Sequence, residues 1–249
     1  MNIIKILTVY LLCCCNIAYS GTIHDSVNQE KYKNYAKNVE CVVMVIGTDS
    51  DNKVTSLFSG VMLKPRWMIT AAHTIGHSDK YYVINNEQTI RYEIKEFIKN
   101  PEFNENNPGD GDLALAFLGS AYVLDFYPKL YSSRDEMDKV CCFFGFGQTG
   151  KASNPVRVQD GCRRGGSNII DQVEENILMC DMSRKKNTEL EFCLSLGDSG
   201  GGMFINKKLA GINCCVFGKR GKPLSSYGDR SGFTRITTYR KWIEFIINE

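Results

Sequence analysis

Between residues 40 and 245 the apolar residues come in short runs, each cut off by Gly, Asn, Asp or Pro, and this spacing limits the fold more than any other feature. Residues 42–46 stop at Gly47, and residues 58–63 and 67–72 flank Lys64-Pro65. Residues 81–84 stop at Asn85-Asn86, residues 89–98 alternate apolar with polar, and residues 113–118 form a continuous apolar run after a turn-rich stretch. Further runs fall at 140–146, 156–158, 203–205, 209–212 and 232–236. Short runs at this spacing predict a sandwich or barrel and speak against βαβ units. Helical periodicity is convincing only at the end, where Tyr239, Trp242, Ile243, Ile246 and Ile247 fall on one face. The expected fold class is therefore all-β with a C-terminal α-helix.

The first twenty residues stand apart. Lys5 is their one charge, residues 6–15 are an apolar run, and Ala18-Tyr19-Ser20 places small residues where a signal peptidase reads. Residues 1–20 read as a secretory signal peptide cleaved at Ser20–Gly21, because the run is too short to cross about 30 Å of hydrocarbon. The polar residues 21–38 read as a propeptide or loose N-terminal arm, and residues 39–249 as the domain. No later stretch is apolar enough to hold the chain in a membrane. The formal charge of +2 comes without a basic stripe or acidic tail, so nucleic acid is not expected as a partner.

Of eleven cysteines, Cys13, Cys14 and Cys15 fall in the leader, and eight remain in a chain destined for an oxidising compartment. Only His73 and His77 are four residues apart, so no metal and no cofactor is expected.

Three motifs follow in fixed order: Thr70-Ala71-Ala72-His73, Asp112-Leu113-Ala114-Leu115 and Gly197-Asp198-Ser199-Gly200-Gly201. Singly, each has an ordinary explanation: a core imidazole, a turn aspartate, a hairpin loop. Their order and context are harder to explain so. From about residue 40 onward the chain resembles the chymotrypsin/trypsin-like serine proteases, with Gly145-Phe146-Gly147 and Gly232-Phe233-Thr234-Arg235-Ile236 adding to the likeness. The resemblance implies two six-stranded antiparallel β-barrels with a C-terminal α-helix. It implies protein or peptide substrates and protease inhibitors as further partners; a monomer is the default expectation.

The residue types suit that chemistry. A serine hydroxyl is a weak nucleophile and needs a base within hydrogen-bond reach. His73 can accept the Ser199 proton near neutral pH and return it to the leaving amine, while Asp112 orients the imidazole. Asp110 is a rival for that place, but Asp112 heads the apolar strand. The Gly197 and Ser199 N–H groups correspond to the oxyanion hole.

Several positions depart from the family. Phe58 and Thr74 stand where a disulfide usually brackets the histidine, so apolar packing is expected to hold that loop. Cys214 replaces the serine that normally supports the aspartate, and a thiol is a weaker partner. Cys141 matches a family half-cystine whose partner position is Ile205. On a strand, neighbouring residues face opposite sides, so neither Cys141-Cys142 nor Cys214-Cys215 should share a partner. Cys162, Cys180, Cys193 and one of Cys214 and Cys215 are the candidates for two bridges.

Family zymogens are cut before an Ile-Val-Gly-Gly-like start whose new amine pairs with the aspartate before the nucleophile, here Asp198. No such start occurs in residues 21–45, and spacing places it at 29–38, where Lys31, Lys33 and Lys37 offer cleavage sites. By the same correspondence Cys193 is the base of the specificity pocket, with Val216 and Ser231 near its walls, which points to a small or apolar side chain. Glu191 and Asp229 are the acidic residues that could still reach the pocket. The leading expectation is a secreted serine endopeptidase. The alternative is a catalytically inactive homologue that binds or regulates other proteins.

Overall fold

The apolar runs become strands on two sides of one cleft. In this computed structural model, residues 21–107, 109–154, 157–219 and 221–248 are described. The expected signal peptide, residues 1–20, lies outside them. The described chain opens with β1 (Thr22–Ile23) and α1 (Gln29–Ala36). Then β2 (Val42–Thr48), β3 (Val54–Lys64), β4 (Trp67–Thr70), β5 (Lys80–Ile84), β6 (Arg91–Lys99) and β7 (Ala114–Leu118) close an antiparallel barrel in the order β2-β3-β4-β7-β6-β5.

Strand β2 is buried along its whole length, and its alternation divides two cores. Val43 and Val45 pack with Phe58, Met62, Met68, Val83 and Leu118. Met44 and Ile46 face the other way, toward Phe144, Phe204 and Ile212 of the second half. A strand covered on both faces reads as a continuous apolar run, which is what the sequence has.

The second half comprises β8 (Val140–Gly145), β9 (Gly150–Lys151), β10 (Arg164–Ile169), β11 (Gln172–Val173), β12 (Ile177–Asp181), β13 (Phe192–Cys193), β14 (Gly202–Ile205), β15 (Lys208–Phe217) and β16 (Arg230–Arg235), followed by α2 (Ile236–Asn248). Here the expectation of a second closed six-stranded barrel needs correcting. The sheet has seven strands in the order β10-β8-β14-β15-β16-β12-β11 and forms a half-barrel. Strand β11 pairs with the edge of β12 that β10 would need to close the ring. Across the seam the Asn168 side chain donates to the Asp181 carbonyl at 2.8 Å in place of a backbone ladder.

Helix α2 buries Tyr239 and Ile243 and packs Trp242, Ile246 and Ile247 against the core between the two halves, as its periodicity predicts. Among the described residues no helix is long and apolar enough to cross a membrane.

Residues 21–38 are not a loose arm. Strand β1 lies between β13 and β9, with Thr22 opposite Cys193 and Ile23 opposite Phe192. Asn28 caps α1 by accepting from the Glu30 N–H, and Tyr32 and Ala36 are fully buried. The Tyr32 hydroxyl accepts from the His24 N–H and donates to the Glu191 carbonyl. Residues 156–158 were expected as a strand, yet among the described residues Val158 makes only an isolated bridge to Thr149.

Candidate active site

Loops at the facing ends of the two halves bring His73, Asp112 and Ser199 together. A short 3-10 turn, Ala72–Thr74, presents His73 directly after β4. Asp112 stands just before β7, and Ser199 lies between β13 and β14. His73 Nε2 is 3.0 Å from Ser199 Oγ, and His73 Nδ1 is 2.7 Å from Asp112 Oδ2. The His73 backbone N–H donates to the other carboxylate oxygen, Oδ1, at 2.9 Å. Both oxygens of the buried Asp112 are thus spent on His73. This fixes the ring and leaves Nε2 facing the serine, an arrangement able to move a proton between the hydroxyl and the imidazole. Asp110 instead pairs with Asn107 and Asn176, away from the histidine.

The turn around Ser199 is held from both halves. The Ser59 hydroxyl donates to the Gly197 carbonyl at 2.7 Å, and its N–H donates to the Ser199 carbonyl at 2.9 Å. The Asn213 amide donates to the carbonyls of Asp198 and Phe144. Gly200 has φ +84°, and a Cβ there would strike the Thr70 hydroxyl, so this position requires glycine. The Gly197 and Ser199 N–H groups donate to no described residue. Sequence reasoning passed over Ser59 and Asn213, because their contacts are made across the fold and carry no local signal.

The loop that carries His73 has no bracketing disulfide. Phe58 packs on the Tyr81 ring at 5.9 Å. The Tyr81 hydroxyl accepts from the N–H groups of Gly76, His77 and Ser78 at 3.0–3.1 Å. The expected apolar packing is present, reinforced by this polar anchor.

A cleft of about 280 Å³ beside Ser199 is lined by His73, Leu194, Ser195, Leu196, Asn213, Cys214, Cys215, Val216 and Pro223. Of the three residues expected at the pocket, Val216 lines it. Cys193 and Ser231 do not: both are buried behind the wall, the Ser231 hydroxyl accepting from the Leu194 N–H and sitting 3.5 Å from Cys193 Sγ. Burial pushes the Cys193 thiol up to about 12. Neither acidic candidate enters the lining. Glu191 accepts from the Ser183 and Asn187 N–H groups, and Asp229 from those of Lys219, Leu224 and Ser226.

All eight cysteines of the described residues are free thiols. Cys180 Sγ lies 3.6 Å from Cys141, not beside Cys162 or Cys193. Cys214 and Cys215 do not face opposite sides. A bulge between Asn213 and Cys215 interrupts the alternation and leaves their sulfurs 3.2 Å apart.

The Trypsin family model matches residues 26–243. The chain is 27% identical over 214 residues to alpha-fibrinogenase albofibrase of Trimeresurus albolabris, covering 76% of this chain and 77% of that one. It is 26% identical over 210 residues to kallikrein-8 of Rattus norvegicus, covering 74% and 75%. Among solved structures, HL collagenase superposes with a TM-score of 0.66 at 19% identity, covering 84% of this chain and 94% of that one. Neuropsin, a serine protease expressed in the limbic system of mouse brain, gives 0.65 at 20%, covering 84% and 95%. These two likenesses speak to the fold alone. Because the family model runs through both halves and ends inside α2, the chain belongs to the trypsin family.

Proposed function

We propose that this protein is a secreted serine endopeptidase that cleaves peptide bonds through an acyl-enzyme on Ser199. The observation that carries the reading is the unbroken chain Ser199–His73–Asp112, with separations of 3.0 and 2.7 Å. In the first step Ser199 Oγ attacks the scissile carbonyl carbon while His73 Nε2 takes its proton. The carbonyl oxygen becomes an oxyanion held by the Gly197 and Ser199 N–H groups, each such donor worth about 3–4 kcal/mol in the transition state. Collapse expels the amine, protonated by His73, and leaves the acyl group on Ser199. Water then enters, His73 takes its proton, and hydrolysis restores the hydroxyl. Asp112 stabilises the imidazolium in both halves.

With no acidic side chain in the cleft lining among the described residues and with Leu194, Leu196, Val216 and Pro223 around it, the side chain preferred before the scissile bond is small or apolar. The leader at residues 1–20 supports secretion. One observation favours a binding homologue without catalysis: Cys214 Sγ turns to Cys215, leaving Asp112 without the side-chain partner that position would normally supply.

The test is hydrolysis of peptides with Ala, Val or Leu against Lys or Arg before the scissile bond. The apolar series is expected to be cut faster, and Ser199→Ala should lower kcat by about four to six orders of magnitude with folding intact. Full activity in Ser199→Ala would remove the assignment.

A further inference from the structure

Asp198 is the least satisfied ionisable group beside the candidate active site. It is 1% exposed. Its Oδ1 accepts from the Gly147 N–H at 2.8 Å, while Oδ2 has no hydrogen-bond partner among the described residues. Arg164, the cation whose charge acts on it, is already paired with Asp160 at 2.5 Å. Burial pushes the Asp198 carboxyl up to about 7, against the pull of the Gly147 N–H and the Arg164 charge. A buried carboxylate left this way costs several kcal/mol unless a cation joins it.

The open oxygen faces Gly21. A Cβ on Gly21 would stand 2.7 Å from Asp198 Oδ2, and one on Gly147 would stand 2.6 Å from its carboxyl carbon. The carboxylate therefore sits directly against bare backbone. Gly21 is itself buried, and β1 clamps the next two residues between β13 and β9. Gly21 is also the first residue after the Ala18-Tyr19-Ser20 cleavage pattern of the leader. By contrast, the window at 29–38 lies in and around α1. There Tyr32 is fully buried, and Arg163 donates to the Ala36 and Lys37 carbonyls, so an amine freed in that window would be held away from Asp198.

We propose that the α-ammonium created at Gly21 by removal of the leader is the ion partner of Asp198, so that leader removal alone completes the oxyanion hole and no propeptide is cut. The chemistry is hydrolysis of the Ser20–Gly21 bond by the leader-removing peptidase. One water is consumed, a carboxylate leaves on Ser20, and the amine on Gly21 takes up a proton. The ammonium and Oδ2 then neutralise each other within the glycine-walled space. Asp198 transmits this to the turn through its own backbone. Its N–H donates to the Ser195 carbonyl, and its carbonyl accepts from the Gly201 N–H and the Asn213 amide. Pinning the side chain fixes the 198–199 peptide, which carries the Ser199 donor, and holds the turn closed by the Asp198 N–H on the Ser195 carbonyl, within which the Gly197 donor lies. Residues 21–38 are then the permanent N-terminus of the working domain.

The inference rests on the protease reading of the site, and the experiment separates the two. Two chains are released from a cleavable fusion, one beginning at Gly21 and one beginning at Ser20. Reaction of each with a fluorophosphonate is timed, and the α-amine is probed with acetic anhydride followed by mass spectrometry. The Gly21 chain should react without any further cut, about 100-fold faster than the Ser20 chain. Its amine should be acetylated at least about tenfold more slowly when folded than in denaturant, as an amine held in a buried ion pair requires. Circular dichroism on the Ser20 chain, and on Asp198→Asn in the Gly21 chain, confirms that slow reaction is not unfolding. Equal fluorophosphonate rates, a freely acetylated Gly21 amine, or reactivity that appears only after a cut in 29–38 would overturn the inference. A protected amine with neither chain reacting would uphold the pairing and reject the protease reading.

Discussion

The Tyr239 hydroxyl accepts a hydrogen bond from the Gly111 N–H at 2.8 Å, tying α2 to the residue directly before Asp112 across 128 positions of sequence. Gly111 has φ +60°, and a Cβ there would lie 2.5 Å from the Glu102 carbonyl carbon, so the loop that delivers Asp112 has little freedom. Tyr239→Phe leaves a buried N–H without an acceptor. It should cost about 1–3 kcal/mol of stability. Loosening of Asp112 should lower kcat by about ten- to a hundredfold. Thermal unfolding and steady-state kinetics on the same sample check both; an unchanged kcat would mean that the helix does not set the carboxylate.

Tyr81 anchors the histidine loop where the family resemblance leads one to expect a disulfide. Tyr81→Phe removes one oxygen that serves three N–H groups, and water can replace only part of that. A loss of about 1–2 kcal/mol is expected, together with faster amide hydrogen exchange at residues 76–78. Phe58→Ala removes the ring beneath and should cost about 3–5 kcal/mol. Exchange rates at 76–78 that stay the same in Tyr81→Phe would contradict the anchoring role.

Asp198 gives a pH signature with a definite sign. In a chain lacking the free Gly21 amine its carboxyl is pushed up to about 7 from 3.8, so the folded state holds the proton more tightly than the unfolded state. The stability from this group is then fully present below about pH 4 and is lost as pH rises through 7. The ionisable groups facing it are Arg164, which pulls the carboxyl down, and the buried Cys193. Pairing with the α-ammonium removes the upward shift. The Ser20 chain should therefore lose stability relative to the Gly21 chain between pH 5 and 7.5, and Asp198→Asn should abolish the difference. Parallel unfolding curves for the two chains would contradict it.

Arg235 and Glu136 form a buried bidentate pair at 2.7 and 2.9 Å, just where β16 passes into α2. Arg235→Met leaves the buried carboxylate without its cation and with only the Thr237 hydroxyl as a side-chain donor, and should cost about 3–5 kcal/mol, whereas adding Glu136→Gln should recover much of that. Denaturant unfolding of the single and double variants reads this directly. A double variant no better than the single one would show that the pair matters through shape and not through charge.

The sequence revealed the parts of this molecule that rest on local periodicity and on contiguous motifs. The first barrel was legible because β2 and β7 are continuous apolar runs and the buried half of β3 is mostly apolar, and α2 because its buried face repeats every three or four residues. The three motif residues were legible for the same reason. What escaped had no such pattern. Strand β10 reads Arg-Gly-Gly-Ser-Asn-Ile, since Phe144 and Phe192 press on Gly165 and Gly166 and leave no room for apolar side chains. Helix α1 shows only Tyr32, Tyr35 and Ala36 as its apolar stripe. The sulfurs of Cys214 and Cys215 meet because of a bulge, which breaks the alternation that strand reasoning assumes. The pocket was half misread because counting from Ser199 gives an order along the chain, while Ser231 and Cys193 are folded behind the wall that Leu194 and Val216 present.

Covalent labelling tests most directly whether Ser199 is a nucleophile activated by His73. The folded chain beginning at Gly21 is treated with a fluorophosphonate and the adduct is located by peptide mass spectrometry. One phosphonyl group on Ser199, lost in Ser199→Ala and slowed by at least about a thousandfold in His73→Ala, is the expected result. A folded chain that takes up no label, or takes it up elsewhere, would contradict the account.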